Sequence, residues 1–122
     1  MSNDPVVIVA ARRSPIGSFQ GSLSALAAPD IAATVNRAVL ADSGVAATDI
    51  DEVIYGCVLP AGLGQAPARQ AARGAGIPDH VGATTVNKMC GSGMKSVMLG
   101  HDMLLAGSAG IILAGGMESM SN

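Results

Sequence analysis

Residues 84–105 read TTVNKMCGSGMKSVMLGHDMLL. The stretch is entered through a short extended run, residues 83–86, rich in β-branched side chains that favour a strand. It turns through Asn87, Lys88 and Met89 and places Cys90 at the bend. Gly91, Ser92 and Gly93 follow, and then a segment to Ala106 in which Met94, Val97, Met98, His101, Leu104 and Leu105 recur at three and four. That spacing predicts a helix over Ser92–Ala106 with an apolar stripe. The local plan is strand, sharp turn, helix, with a thiol at the turn.

The position of that thiol matters. The first N–H groups of a helix lack intrahelical partners and carry partial positive charge. A thiolate there is stabilised and nucleophilic. The glycines on either side of Ser92 are expected to leave room for a substrate and to take dihedrals other residues avoid. A bland reading stands beside this one, because most free cysteines are buried and inert. The strand-to-helix switch and the Gly-Ser-Gly run favour a nucleophile. His101 lies about three turns along the predicted helix, some ~16 Å from Cys90 at 1.5 Å per residue, so the two cannot share a hydrogen bond. On the apolar stripe, His101 reads as a satisfied core or interface histidine.

Working outward, residues 6–10 (VVIVA) form a continuous apolar run, read as a strand covered on both faces of a parallel sheet. Residues 11–17 leave it as a loop, and Arg12 and Arg13 read as surface charges or contacts to an anion. Pro29 and Asp30 open a helix, with Asp30 as cap. Ile31, Val35, Ala38 and Val39 share one face, and Gly44 ends it. Thr48 and Asp49 start a short helical turn. Residues 53–59 (VIYGCVL) read as a strand. Gly56 within it signals a bulge or close backbone approach, and Cys57 reads as small core packing. Residues 65–75 form an alanine-rich helix, and residues 111–114 the last strand. Glu118 follows that strand's end, where open α/β sheets place site residues, although a structural role reads equally well. Strands alternating with helices predict an α/β layered domain with a largely parallel sheet.

Composition narrows the function classes. Of 122 residues, 49% are hydrophobic and 13% charged, with 16 glycines, one Tyr, one Phe and no Trp. So many small residues predict helices packed tightly on a sheet, and surface meant to be covered. The net charge of −2 and the lack of a basic stripe or aromatic platform argue against nucleic acid as a partner. No apolar run reaches the ~18 residues of a membrane span. With no secretory pattern at the N-terminus, the reading predicts a cytoplasmic protein and no structural disulfide between Cys57 and Cys90. His80, His101 and the cysteines lack metal-ligand spacing. A dinucleotide fingerprint at Gly91-Ser92-Gly93 is weak. Its third small position is Ser96, and no acid lies about 20 residues on.

Three segments carry a family resemblance. Residues 86–95 (VNKMCGSGMK) resemble the nucleophile segment of thiolases, the acetyl-CoA acetyltransferase family. Residues 115–121 (GGMESMS) resemble that family's second signature, and the opening VVIVAARRSPIGSFQGSL its first strand and loop. The resemblance implies a thiolase-like layered domain, a mostly parallel mixed sheet flanked by helices. Residues 1–122 would form the N-terminal thiolase domain, the first half of the fold.

It also implies a reversible Claisen condensation of acyl-CoA, read backwards as thiolysis of a 3-ketoacyl-CoA, within fatty acid metabolism. Cys90 would be the nucleophile that carries the acyl group, with its own N–H in the oxyanion hole. Coenzyme A would be a substrate, with no separate cofactor and no metal. A homo-oligomer, dimer or tetramer, would form through residues 83–88. The CoA-binding insertion and C-terminal half, which in the family supply an Asn, a His and a second Cys, are not among these residues. The chain would therefore be competent only with that half. The alternative is a non-catalytic thiolase-like fragment or interaction subunit.

Overall fold

The computed structural model describes residues 4–122. The elements in order are α1 (Ala28–Ser43), a 3-10 turn (Ala47–Asp49), β1 (Glu52–Gly56), α2 (Pro67–Gly74), β2 (Gly82–Val86), α3 (Ser92–Ala106) and β3 (Ile112–Gly116). The strands form one sheet in the order β2-β1-β3. Both pairings are parallel, Val53 standing opposite Ala83 on one side and Leu113 on the other. The α/β reading holds, and among the described residues the sheet is wholly parallel.

Alternation along β1 sorts the layers. Val53, Tyr55 and Cys57 join a core with Ala28 and Ala32 of α1, Ala68, Ala71 and Ala72 of α2, and Leu113 of β3. Gly56, on the other face, meets Ser92 of α3. The sheet thus lies between an α1–α2 layer and α3, as the period of two requires.

The α1–α2 side is an alanine interface with a buried polar lock. Asn36 is fully buried. It accepts a hydrogen bond from the Tyr55 hydroxyl and donates to the Ala71 carbonyl at 3.4 Å. A buried amide without partners would cost about 1–3 kcal/mol, so the pair fixes how α1 sits on β1. Burial also pushes the Tyr55 phenol up to about 12. The fully buried face of α1 is Ala28, Ala32, Ala33 and Asn36; of the predicted Ile31, Val35, Ala38 and Val39, none is fully buried, and Val39 packs half-buried against this core. Small side chains let α1 approach α2 closely, and the longer ones fall to the flank.

Helix ends also differ from expectation. The cap of α1 is Ala27 without a side-chain bond, and Asp30 sits in the first turn, with Pro29 ahead of it. Gly44 closes α1 in the left-handed region, φ 69°, as expected. The Ala68 N–H of α2 is satisfied by the Thr85 hydroxyl from β2, at 3.0 Å. The strand predicted over residues 53–59 ends at Gly56, and that over 111–114 runs on to Gly116.

The run at residues 6–10 is not a strand. Val7, Ile8 and Val9 are exposed, Ile8 by 78%. An apolar run becomes a strand only where a sheet edge receives its backbone. Here the start of the arm is instead drawn onto α3, where Asp4 meets His101 Nε2 at 2.5 Å.

Helix α3 reverses its predicted face. Ser92, Ser96 and Gly100 are buried, while Met94, Val97, Met98 and Leu105 are exposed, Met94 by 72%. The sheet surface beneath is Gly56, Ile112, Ala114 and Gly116, and at Gly56 and Gly116 the backbones come close together. Only a small-residue face fits that gap, so the large side chains turn outward.

Candidate active site

All three strands are parallel, so their carboxyl ends meet along one edge of the sheet. Residues 57–59 leave β1 there, residues 87–91 leave β2, and Met117 and Glu118 leave β3. Cys57 N–H donates to the Val86 carbonyl at 3.0 Å, and Met117 N–H to the Gly56 carbonyl at 2.9 Å. These bonds carry the strand order one residue past the ladder. Open α/β sheets bind ligands at such an edge.

Cys90 is exposed and stands two residues before α3 begins. The turn that presents it is built from side chains. Asn87 Oδ1 accepts from Met89 N–H at 3.0 Å, a local Asx bond. Ser92 Oγ accepts from Lys88 N–H at 2.8 Å and donates to the Met89 carbonyl at 2.6 Å. Gly91 and Ser92 N–H close the bend onto the Lys88 and Met89 carbonyls. Met89 takes φ 49°, while Gly91 has φ −91°. The left-handed residue is therefore the methionine next to the thiol, not the neighbouring glycines. For a non-glycine this conformation costs about 1 kcal/mol and persists because the bonds around it hold it.

The glycines at the ends of β1 and β3 serve packing. A Cβ on Gly116 would lie 2.9 Å from Gly93 Cα, and one on Gly56 only 2.5 Å from the Ser92 carbonyl carbon. They let the start of α3 sit directly on the ends of β1 and β3. Ser96, also buried, places its hydroxyl 2.7 Å from the Gly93 carbonyl and 2.5 Å from that of Gly115. It ties the first turn of the helix to β3.

The other sequence candidates fall elsewhere. Cys57 is buried, and burial together with the nearby Glu118 carboxylate pushes its thiol up, which suits packing. Glu118 accepts from the N–H groups of Val58 and Leu59 at 2.8 and 3.2 Å. Arg12 pairs with Asp42. His101 is half-exposed rather than a core residue and is engaged by Asp4 and Asp102. Both carboxylates raise its pKa, with Asp4 the larger influence. The continuous helix between His101 and Cys90 keeps them about 16 Å apart. A groove of about 390 Å³ lies between residues 14–24 and 118–121, and Cys90 does not line it. Among the described residues no group of three His, Cys, Asp or Glu side chains is placed to hold a metal, and no helix is long and apolar enough to cross a membrane.

Sequence reading missed what Asn87 and Ser92 do. The Asx signal at Asn87 was available, because asparagine side chains habitually bond the backbone two residues on. The reach of Ser92 back to Lys88 depends on the sharpness of the turn and left no local signal.

Comparison with known proteins agrees with this geometry. The family described as thiolase, N-terminal domain, matches residues 6–122. Acetyl-CoA acetyltransferase IA of Candida tropicalis is 50% identical over 123 aligned positions, covering all of this chain and 30% of that protein. An acetyl-CoA acetyltransferase of Pseudomonas aeruginosa is 54% identical over 116, covering 95% of this chain and 30% of the relative. The crystal structure of the Acat5 thiolase from Ascaris suum in complex with coenzyme A superposes with a TM-score of 0.92 at 39% identity, over 93% of this chain and 30% of that one. The chain therefore spans about a third of the length of the relatives it matches. A match from residue 6 to residue 122, with the parallel sheet and the cysteine turn in place, means that the chain belongs to the thiolase family, as its N-terminal domain.

Proposed function

We propose that this chain supplies the nucleophile of an acetyl-CoA C-acetyltransferase. The observation that carries the reading is an exposed Cys90 at the carboxyl edge of a parallel sheet, two residues ahead of a helix, in a thiolase N-terminal domain. The Cys90 thiolate attacks the acetyl-CoA carbonyl. A C–S bond forms to Cys90, the C–S bond to coenzyme A breaks, and the CoA thiolate leaves. A second acyl-CoA, deprotonated at its α-carbon, attacks the acetyl-Cys90 carbonyl. A C–C bond forms, and the Cys90 thiolate departs as the 3-ketoacyl-CoA is released. Read backwards, this is thiolysis.

The Cys90 N–H is the oxyanion donor. Coenzyme A enters as a substrate, and no further cofactor is needed. Helix-terminus stabilisation contributes only about 1 kcal/mol. The α-proton base, and the base for Cys90 itself, therefore come from the part of the fold that the relatives carry beyond this third. In isolation the chain accepts one acetyl group and does not turn over.

Two observations extend the reading. Strand β2 lies at a sheet edge, which suits a homo-oligomer formed through residues 83–88. The exposed Met94, Val97 and Met98 favour cover by further protein and also support the second reading, a non-catalytic interaction subunit. A cytoplasmic place in fatty acid metabolism is the setting we propose.

Intact mass measurement after incubation with acetyl-CoA tests this. The expected result is a single acetyl increment that maps to the Cys90 peptide and vanishes in Cys90→Ala. A chain that never acetylates, alone or mixed with the remaining part of a relative's fold, overturns the catalytic reading and leaves the interaction subunit.

A further inference from the structure

The three strand ends are connected by a relay of hydrogen bonds that finishes at the nucleophile. Glu118, just past β3, accepts from Val58 N–H at 2.8 Å and Leu59 N–H at 3.2 Å. The Val58 carbonyl accepts from Asn87 Nδ2 at 3.1 Å. The same amide's Oδ1 accepts from Met89 N–H at 3.0 Å. Met89 is the left-handed residue, and Cys90 is next in the chain. We propose that Glu118 is a positioning residue for the Cys90 thiol, acting through residues 58–59 and the Asn87 side chain.

The physical reason lies in what each link can do alone. Asn87 is exposed, and its amide is free to rotate into water unless both ends are held. Its donor end is held by the Val58 carbonyl. That carbonyl has a fixed direction because Glu118 clamps two successive N–H groups of the same segment. Remove one clamp and residues 58–59 are free to turn. Asn87 then loses its donor anchor, and Met89 loses part of what keeps it left-handed. The thiol moves relative to the start of α3, and a misplacement of the order of 1 Å is enough to slow a transfer about a hundredfold. This assignment rests on the acetyl-transfer reading above and links the second signature, GGMESMS, to the nucleophile segment.

The test uses the 122-residue chain with Glu118→Gln, Asn87→Leu, Asn87→Asp and the Glu118→Gln/Asn87→Leu pair. Two readouts are needed. Amide hydrogen exchange at Met89 reports the relay directly. The expected result is lost Met89 protection in Asn87→Leu and reduced protection in Glu118→Gln, although Glu118 does not touch Met89. The second readout is the rate of Cys90 acetylation by acetyl-CoA relative to alkylation by iodoacetamide, which needs a reachable thiolate but no oxyanion donor.

Glu118→Gln and Asn87→Leu are expected to lower acetylation about tenfold or more, with alkylation within about twofold. Asn87→Asp, which keeps the acceptor for Met89 N–H, recovers part of the loss. The double variant is no slower than Asn87→Leu alone, because both changes break one relay. Unchanged Met89 protection in Glu118→Gln overturns the proposal, as do losses that multiply in the double variant. Where the wild-type chain never acetylates, the fault lies with the acetyl-transfer reading or its missing base and not with the relay, and Met89 exchange then decides the relay by itself.

Discussion

Gly56→Ala tests whether α3 is seated on the sheet by backbone contact. The new Cβ would lie 2.5 Å from the Ser92 carbonyl carbon, 2.6 Å from its Cβ and 2.7 Å from its carbonyl oxygen. Ordinary contact begins near 3.4 Å. The gap must therefore open by about 1 Å, and none of these atoms can rotate aside as a flexible side chain would. Overpacking of this kind costs about 1–3 kcal/mol, and a clash with main chain belongs at the upper end, about 3 kcal/mol. That is a large part of the 5–15 kcal/mol typical of a domain.

Urea unfolding followed by far-UV circular dichroism suits a chain without Trp. With a slope of about 1.5 kcal/mol per M, the midpoint should fall by about 2 M. Gly44→Ala is the control. Its Cβ meets nothing within 4 Å, so its cost comes from φ 69° alone, about 1 kcal/mol. A Gly56→Ala midpoint shift no greater than that of Gly44→Ala would refute the reasoning.

Two pH-dependent outcomes follow from buried and surface pairs. Tyr55 is the one tyrosine, so tyrosinate absorbance reports it alone; the folded midpoint should stand near 12, against an ordinary 10.0. The folded value is raised, so the stabilisation is complete below pH 10 and is lost as pH rises toward 12. It amounts to about 3 kcal/mol, and a folded midpoint near 10 would count against it. The Asp4–His101 pair should hold the N-terminal arm only inside a window. Asp4 is lowered by its bond to His101, so the pair fails as pH falls through the depressed Asp4 value. His101 is raised by Asp4 and Asp102, so the pair also fails as pH rises through the elevated His101 value. Exchange protection of the Val6 amide, which donates to Asp4, should be lost at both ends and in His101→Ala; protection that ignores pH would dismiss the pair.

The chain's own order determined much of this protein. Alternating extended runs and 3.6-period segments specified an α/β layering. The β-branched run, the bend and the Gly-Ser-Gly at residues 83–93 placed Cys90 between β2 and α3. Such features depend on neighbours within a few residues, and those are written side by side.

Which face each helix buries was decided only in three dimensions. The stripe of Met94, Val97 and Met98 carries the apolar signal, yet α3 buries Ser92, Ser96 and Gly100. The gap to Gly56 and Gly116 admits nothing larger. VVIVA has strand composition, but composition cannot supply a ladder partner. The left-handed Met89 and the relay from Glu118 through Asn87 also depend on residues 29 and 60 apart meeting at one sheet edge. A one-dimensional pattern records propensity and period; contact across the fold sets which side chain fits, which backbone is held, and where the thiol points.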